Sequence, residues 1–233
     1  PEGQFLPWKR YDYHDKKIAI IGGGPAGLSC AYYLAQDGYD VTVFEKEEKL
    51  GGMMTLGIPA FRLQKDVVQA EIDIIEKLGV KFKTGVEVGK DVTIAQLKEQ
   101  GFNGFYIAIG AQLSRNLGLE NENNIDVVGG IDFLRQVNLG KGLELNGNVV
   151  VVGGGNVAMD VARTALRQGA SRVDLYCLES REEMPAAKDE LAEAEEEGIV
   201  IHNGFGPKSI NVTDGKFASI TFKKCLRVKD EAG

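Results

Sequence analysis

Short, unbroken apolar runs closed by glycine dominate the hydropathy pattern of this chain. Ile18, Ala19, Ile20 and Ile21 form the first, and predict a strand covered on both faces over residues 17–23. Gly22 to Gly27 reads as a turn, Leu28 to Gln36 as a helix, and Gly38 as its stop. Val41-Thr42-Val43-Phe44 is a second strand and ends in Glu45, which completes a βαβ unit. After an irregular stretch with Gly51, Gly52 and Gly57, the pattern changes period. Val67, Val68, Ile72, Ile75 and Leu78 fall on one face of a helix over 64–78, capped by Gly79. Strand-like residues follow over 80–88, and Thr93 is the predicted N-cap of a short helix running to about Glu99. Phe105–Ile109 reads as another strand, closed by Gly110.

Residues 112–145 are loop-like apart from a helix near 131–137. At Val149 the pattern starts again: strand, glycine turn, helix to Gln168, then a strand over 172–178. An acidic helix is predicted over 186–197, with a charge run read as a solvated face. From Ile199 the pattern is one of short strands, with a hairpin turn at Thr213-Asp214-Gly215-Lys216.

The restart is also a repeat of words. IAIIGGGPAGLS at residues 18–29 is echoed by VVVVGGGNVAMD at 149–160. Two distant copies of one supersecondary unit are not a solenoid. In the first copy the spacing is Gly22-x-Gly24-x-x-Gly27. The first glycine permits the tight strand-to-helix turn, the second lets a pyrophosphate approach the backbone, and the third lets helix and strand pack closely. The helix N-terminus then directs free N–H groups and a partial positive charge at the phosphates. Glu45 ends the second strand, where an acid accepts hydrogen bonds from ribose hydroxyls. In the second copy the spacing is Gly153-x-Gly155-x-x-Ala158. There Cys177 stands where the acid belongs, and the nearest carboxylate is Glu179. Two dinucleotide sites on one chain point to two different dinucleotides, a flavin and a nicotinamide. No general acid or base stands out. A hydride passing between such cofactors needs none, so no catalytic side chain is assigned.

Composition adds exclusions. The 233 residues are 43% hydrophobic and 26% charged, as in ordinary soluble proteins. The net charge is −7, which argues against nucleic acid as the main partner. No apolar run is long enough to span a membrane. Cys30, Cys177 and Cys225 are scattered, so neither a disulfide framework nor a redox CxxC is present, and a reducing cytoplasm is the expected location. With His14 and His202 they offer no metal-ligand spacing.

The wider wording carries a resemblance. GGGPAGLSCAYYLAQDGYDVTVFEK, GGMMTLGIPAFRLQKDVV, YIAIGA, VVVVGGGNVAMDVARTALRQGA and SREEMPA occur in this order. Together they resemble the small subunit of glutamate synthase and its relatives, the NADPH-linked transhydrogenase subunit and the flavin part of dihydropyrimidine dehydrogenase. The resemblance implies an α/β fold: two Rossmann-like dinucleotide-binding domains with central parallel sheets, of the pyridine nucleotide-disulfide oxidoreductase type. It implies an internal fragment, in which residues 1–16 are the linker from an iron–sulfur domain. Residues 17–125 would be the first segment of a FAD domain whose returning segment is missing, 126–145 a connection, and 146–233 the NAD(P)H domain.

By position, the resemblance assigns Gly22, Gly24, Pro25, Ala26 and Gly27 to the FAD pyrophosphate. It assigns Glu45, with Lys46 beside it, to the ribose of the AMP half. Gly51, Gly52 and Met53 would line the flavin side with Arg62, Val88 would meet the adenine, and Ala108 and Gly110 would lie where the chain leaves the domain. Gly153, Gly155, Asn156, Val157 and Ala158 would hold the nicotinamide dinucleotide, with Glu179, Ser180 and Arg181 at its ribose end. NADPH-using relatives commonly carry two arginines where this chain has Leu178 and Glu179. A carboxylate there repels a 2′-phosphate and suits a free hydroxyl, so NADH is favoured over NADPH, with Arg181 as the counter-argument. The implied activity is hydride transfer from NADH to FAD, with electrons passing to iron–sulfur clusters and a partner such as the glutamate synthase large subunit. A flavin oxygenase-type reductase, or a module that binds nucleotide without turnover, are the alternatives.

Overall fold

The computed structural model describes residues 14–142 and 144–228. Most of the expected linker, residues 1–13, lies outside the described residues. The chain divides into two compact units that meet at Gln112 and Leu113.

The first unit runs β1 (Lys17–Ile21), α1 (Pro25–Gln36), β2 (Asp40–Phe44), α2 (Met53–Leu56), α3 (Lys65–Lys77), β3 (Lys81–Lys83), α4 (Ile94–Glu99) and β4 (Phe102–Ile107). Its sheet has the order β3-β2-β1-β4 and every pair is parallel. Both faces of the sheet are covered, which is why the strands read as continuous apolar runs. Ile20, Val41 and Val43 pack with Leu28 and Ala31 of α1 and with Val68, Ile72 and Ile75 of α3. Ala19 and Phe44 pack on the other side with Leu97 of α4. Each fully buried aliphatic side chain contributes about 1.5–3 kcal/mol.

α4 is held at its start by a reciprocal cap. Thr93 Oγ1 accepts from Gln96 N at 3.2 Å, and Gln96 Oε1 accepts from Thr93 N at 2.8 Å. Three strands differ from expectation, and the first is β1, which ends at Ile21 and not at residue 23. β3 is short because the chain turns at Gly85, with φ at +68°. β4 begins earlier, at Phe102, although Asn103 and Gly104 break the apolar pattern. A Cβ on Gly104 would come within 2.8 Å of Ile18 Cδ1, so a glycine there admits its cross-strand neighbour.

The second unit contains α5 (Gly130–Asn138), β5 (Gly147–Val152), α6 (Asn156–Arg167), β6 (Ala170–Cys177), α7 (Lys188–Glu196), β7 (Val200–Asn203), β8 (Phe205–Thr213) and β9 (Lys216–Lys224). β5, β6 and β7 form a parallel sheet in that order, and β8 and β9 pair as an antiparallel hairpin. Asp214 and Gly215 both have positive φ, 51° and 79°, which suits the two-residue turn. The core joins Val173 and Leu175 of β6, Met159 and Ala162 of α6, Phe133 and Leu134 of α5, and Leu191 of α7. The Tyr176 ring lies between two others, 3.9 Å from Phe222 of β9 and 4.3 Å from His202 of β7, which seats the hairpin on the sheet.

The segment before α5 is bound to that hairpin. Asn121 Nδ2 donates to Ile210 O at 3.0 Å, Asn124 Nδ2 to Gly215 O at 2.9 Å, and Phe217 N to Asp126 Oδ2 at 3.0 Å. These bonds tie residues 121–126 to the second unit.

The acidic helix is not a merely solvated face. Arg163 of α6 reaches Glu190, Glu193 and Glu197, at 3.3, 2.6 and 2.8 Å, with its own side chain almost wholly buried. Sequence proximity hid this network, because the positive partners lie on a different helix.

Candidate functional site

Each unit presents a glycine loop between its first strand and the helix that follows. In the first, Gly22 turns at φ +110° and its N–H bonds Phe44 O at 2.8 Å. A Cβ on Gly22 would lie 2.3 Å from Ala108 O, and one on Gly27 would lie 1.9 Å from Gly22 O. Both positions therefore admit only glycine as the chain stands. Gly24 is the opposite case: its nearest neighbour would be Gly52 Cα at 3.8 Å, so the space beside it is open. Gly24 is also the N-cap of α1, with Pro25 opening the helix and no side chain capping it. Open space, an uncapped helix start and a close-packed third glycine fit a pyrophosphate.

Glu45 stands beside this loop. Its Oε2 accepts from Gly23 N at 2.7 Å and its Oε1 from Glu47 N at 2.9 Å. The segment that follows comes back to the same loop. Gly51 N donates to Gly23 O at 2.8 Å, and Gly52, at φ +53°, lies so close to Gly24 that a Cβ would meet its Cα at 2.8 Å. Met53 then starts α2. Lys65 holds this segment by donating to Met54 O at 2.7 Å. Ala108 continues β4 beside Gly22, with its N–H on Ile21 O at 2.8 Å.

The fold thus gathers Gly22 to Gly27, Glu45, Gly51, Gly52, Met53 and Ala108. Lys46 is exposed. Arg62 is exposed in the turn that precedes α3. Val88 is half-buried and packs with the Ala19–Phe44–Leu97 cluster. Gly110, at φ +70°, is open to solvent.

In the second unit, Gly153 turns at φ +140° and its N–H bonds Tyr176 O at 2.9 Å. Gly155 is the N-cap of α6, again with no capping side chain, and nothing lies within 4 Å of where its Cβ would be. Ala158 is buried, and its methyl lies 3.5 Å from where Gly153 would carry a Cβ, so the loop has room for a methyl at the place of the third glycine. Asn156 Oδ1 accepts from Ala187 N at 2.8 Å, and Val157 is half exposed.

The acid of this unit is displaced in sequence and restored in space. Glu179 Oε2 lies 2.8 Å from where Gly154 would carry a Cβ, with Cys177 Cβ at 3.1 Å. Glu179 therefore stands beside the middle glycine as Glu45 stands beside Gly23. Cys177 is buried beneath it. Burial, and then the Glu179 charge, push its thiol pKa up. Ser180 donates its hydroxyl to Glu183 at 2.8 Å. Arg181 Nη2 bonds Glu195 of α7 at 2.7 Å, so that guanidinium has an internal carboxylate partner. Gly23, Gly154, Asn203 and Glu195 were not singled out in the sequence. The GGG triplets marked the first two; nothing local marks the others.

Comparison with known proteins agrees with this arrangement. The family model described as pyridine nucleotide-disulphide oxidoreductase matches residues 16–229. The NADP(+)-dependent formate dehydrogenase subunit beta of Moorella thermoacetica is 45% identical, over 92% of this chain and 30% of that protein. The glutamate synthase [NADPH] small chain of Escherichia coli is 37% identical, over 88% of this chain and 46% of that one. The NAD-dependent dihydropyrimidine dehydrogenase subunit PreT of Escherichia coli O157:H7 is 41% identical, over 83% and 47%. The chain therefore spans less than half the length of these relatives. Among solved structures, FprA from Mycobacterium tuberculosis superposes with a TM-score of 0.78 at 20% identity, over 94% of this chain and 66% of that one, and shares the fold.

Proposed function

The chain belongs to the pyridine nucleotide-disulphide oxidoreductase family, and we propose that it is the flavin and nicotinamide module of an electron-transferring oxidoreductase. The observation that carries this reading is the pair of glycine cradles, each with a carboxylate beside its middle glycine. In this reading the first unit holds FAD. Gly22 and Gly27 keep β1 and α1 close, Gly24 leaves room for the pyrophosphate, and the α1 N-terminus faces its charge. Glu45 fixes the loop and faces the ribose of the AMP half. When bound, the flavin supplies a two-electron acceptor for the nicotinamide hydride.

The second unit holds the nicotinamide dinucleotide at Gly153, Gly155, Asn156, Val157 and Ala158. Its preference is for NADH over NADPH. Glu179 beside Gly154 offers a carboxylate to a free ribose hydroxyl and repels a 2′-phosphate. Arg181, the one nearby cation that sequence suggested for a phosphate, is engaged by Glu195. The names of the relatives include both cofactors, so the preference rests on these two contacts. Because the three relatives are much longer and are named as subunits or chains of larger enzymes, the electrons are proposed to pass on to iron–sulfur clusters and a partner subunit, as in glutamate synthase. Among the described residues no helix is long and apolar enough to cross a membrane.

The test is anaerobic. The protein is mixed with excess FAD, NADH or NADPH is added separately, and the flavin absorbance is followed. Faster bleaching with NADH supports the reading. Faster bleaching with NADPH removes the role given to Glu179, and no bleaching with FAD bound would leave a nucleotide-binding module without turnover.

A further inference from the structure

We propose that Asn203 is a specificity-determining positioning residue, which tunes the NADH preference by fixing the backbone of Glu179; this rests on the ribose-facing role given to Glu179 above. Asn203 ends β7, in register with Cys177 on β6. Its Nδ2 lies 3.2 Å from the Glu179 carbonyl oxygen and 3.2 Å from Cys177 Sγ. The next residue, Gly204, turns at φ +74° and donates its own N–H to the same carbonyl at 3.1 Å. The Cys177 thiol approaches that oxygen at 3.7 Å. One carbonyl is thus held by three donors just past the end of β6.

The consequence is directional. The strand fixes the backbone before Glu179, and the anchored carbonyl fixes it after. The Cα–Cβ bond of Glu179 then has one orientation, and from it the side chain extends to Gly154, with Oε2 2.8 Å from where that residue would carry a Cβ. A ribose-selecting carboxylate works only if it is held in place before the ligand arrives. In the first unit a direct bond from Gly23 N does this for Glu45. In the second unit the acid lies further along the chain, and Asn203 supplies the restraint through the backbone. Asn203 is half-buried.

The test is a binding cycle on the full chain. Dissociation constants for NADH and for NADPH are measured by nicotinamide fluorescence, without added flavin. The variants are Asn203→Ala, Asn203→Leu (the same branched outline but unable to donate), Glu179→Gln, and each Asn203 change combined with Glu179→Gln. The expected result is a fall in the NADH-over-NADPH preference of about three- to tenfold in Asn203→Ala and Asn203→Leu. No further fall is expected in the Glu179→Gln background, because both changes act through one carboxylate. Equal weakening of both ligands, with the preference unchanged, would mean that Asn203 only supports the fold, and overturns the proposal. A fall that persists in the Glu179→Gln background overturns it too. If Glu179→Gln alone leaves the preference unchanged, the role of Glu179 itself fails, and the proposal fails with it.

Discussion

Glu45 Oε2 accepts a hydrogen bond from the Gly23 N–H at 2.7 Å, so the end of the second strand is fastened to the loop that ends the first. The carboxylate is buried and its other oxygen is bonded by Glu47 N. This contact makes the acid part of the loop's own structure as well as of the proposed ribose site.

Replacing Glu45 by Ala therefore has two expected effects. It leaves two buried N–H groups without their acceptor, which costs about 1–3 kcal/mol in a urea titration. It also lowers FAD retention after gel filtration. Loss of flavin with unchanged stability would show that the bond to Gly23 contributes little.

Two glycine substitutions should separate folding from binding. In Gly27→Ala the new methyl meets Gly22 O at 1.9 Å, a backbone clash worth about 3 kcal/mol or more. In Gly155→Ala nothing lies within 4 Å, so stability should change by about 1 kcal/mol or less. Its nicotinamide affinity should nonetheless drop, by about tenfold, because the methyl occupies the approach to the pyrophosphate. Calorimetry gives the first number and fluorescence titration the second.

Arg163→Ala should be the most damaging of the surface-network changes. It deprives Glu190, Glu193 and Glu197 of a shared, nearly buried cation. The expected loss is about 2–3 kcal/mol of unfolding free energy, chiefly from Glu190, which is buried and loses this cation, while Glu193 is solvated and Glu197 keeps Arg167. A loss under about 1 kcal/mol would show that the network is solvated after all.

Acid should weaken the second unit through two carboxylates. Bonding by Arg167, together with Arg163, holds Glu197 down to a pKa of about 2, and bonding by Arg172, with His202, holds Asp174 down to about 2. Depressed folded-state values mean that the stabilisation is complete above the ordinary carboxylate range. It is lost as pH falls from about 4.5 towards about 2. Each group contributes on the order of 1 kcal/mol once solvent screening is counted. Thermal midpoints between pH 2 and pH 6 should fall less steeply in Glu197→Gln than in the parent.

The sequence exposed whatever depends on neighbours along the chain. The glycine spacings located both loops, the apolar runs located the strands covered on both faces, and Thr93 announced a capped helix. Long-range pairings stayed hidden. The partners of α7 lie on α6, and Glu195 holds Arg181 from fourteen positions away. The second acid was legible only in part. Its position in sequence is wrong by two residues, and the offset is absorbed by the bonds from Asn203 and Gly204, which come from another strand.

The bonds between residues 121–126 and the β8–β9 hairpin also impose an order of assembly. They join residues 89 and 91 positions apart, and closing such loops costs conformational entropy before the bonds repay it. During synthesis, the four described strands of the first unit have all emerged once residue 107 has. The second must wait for β9. Until then Tyr176 lacks the Phe222 ring that covers it, and the nascent second unit carries an open aromatic face.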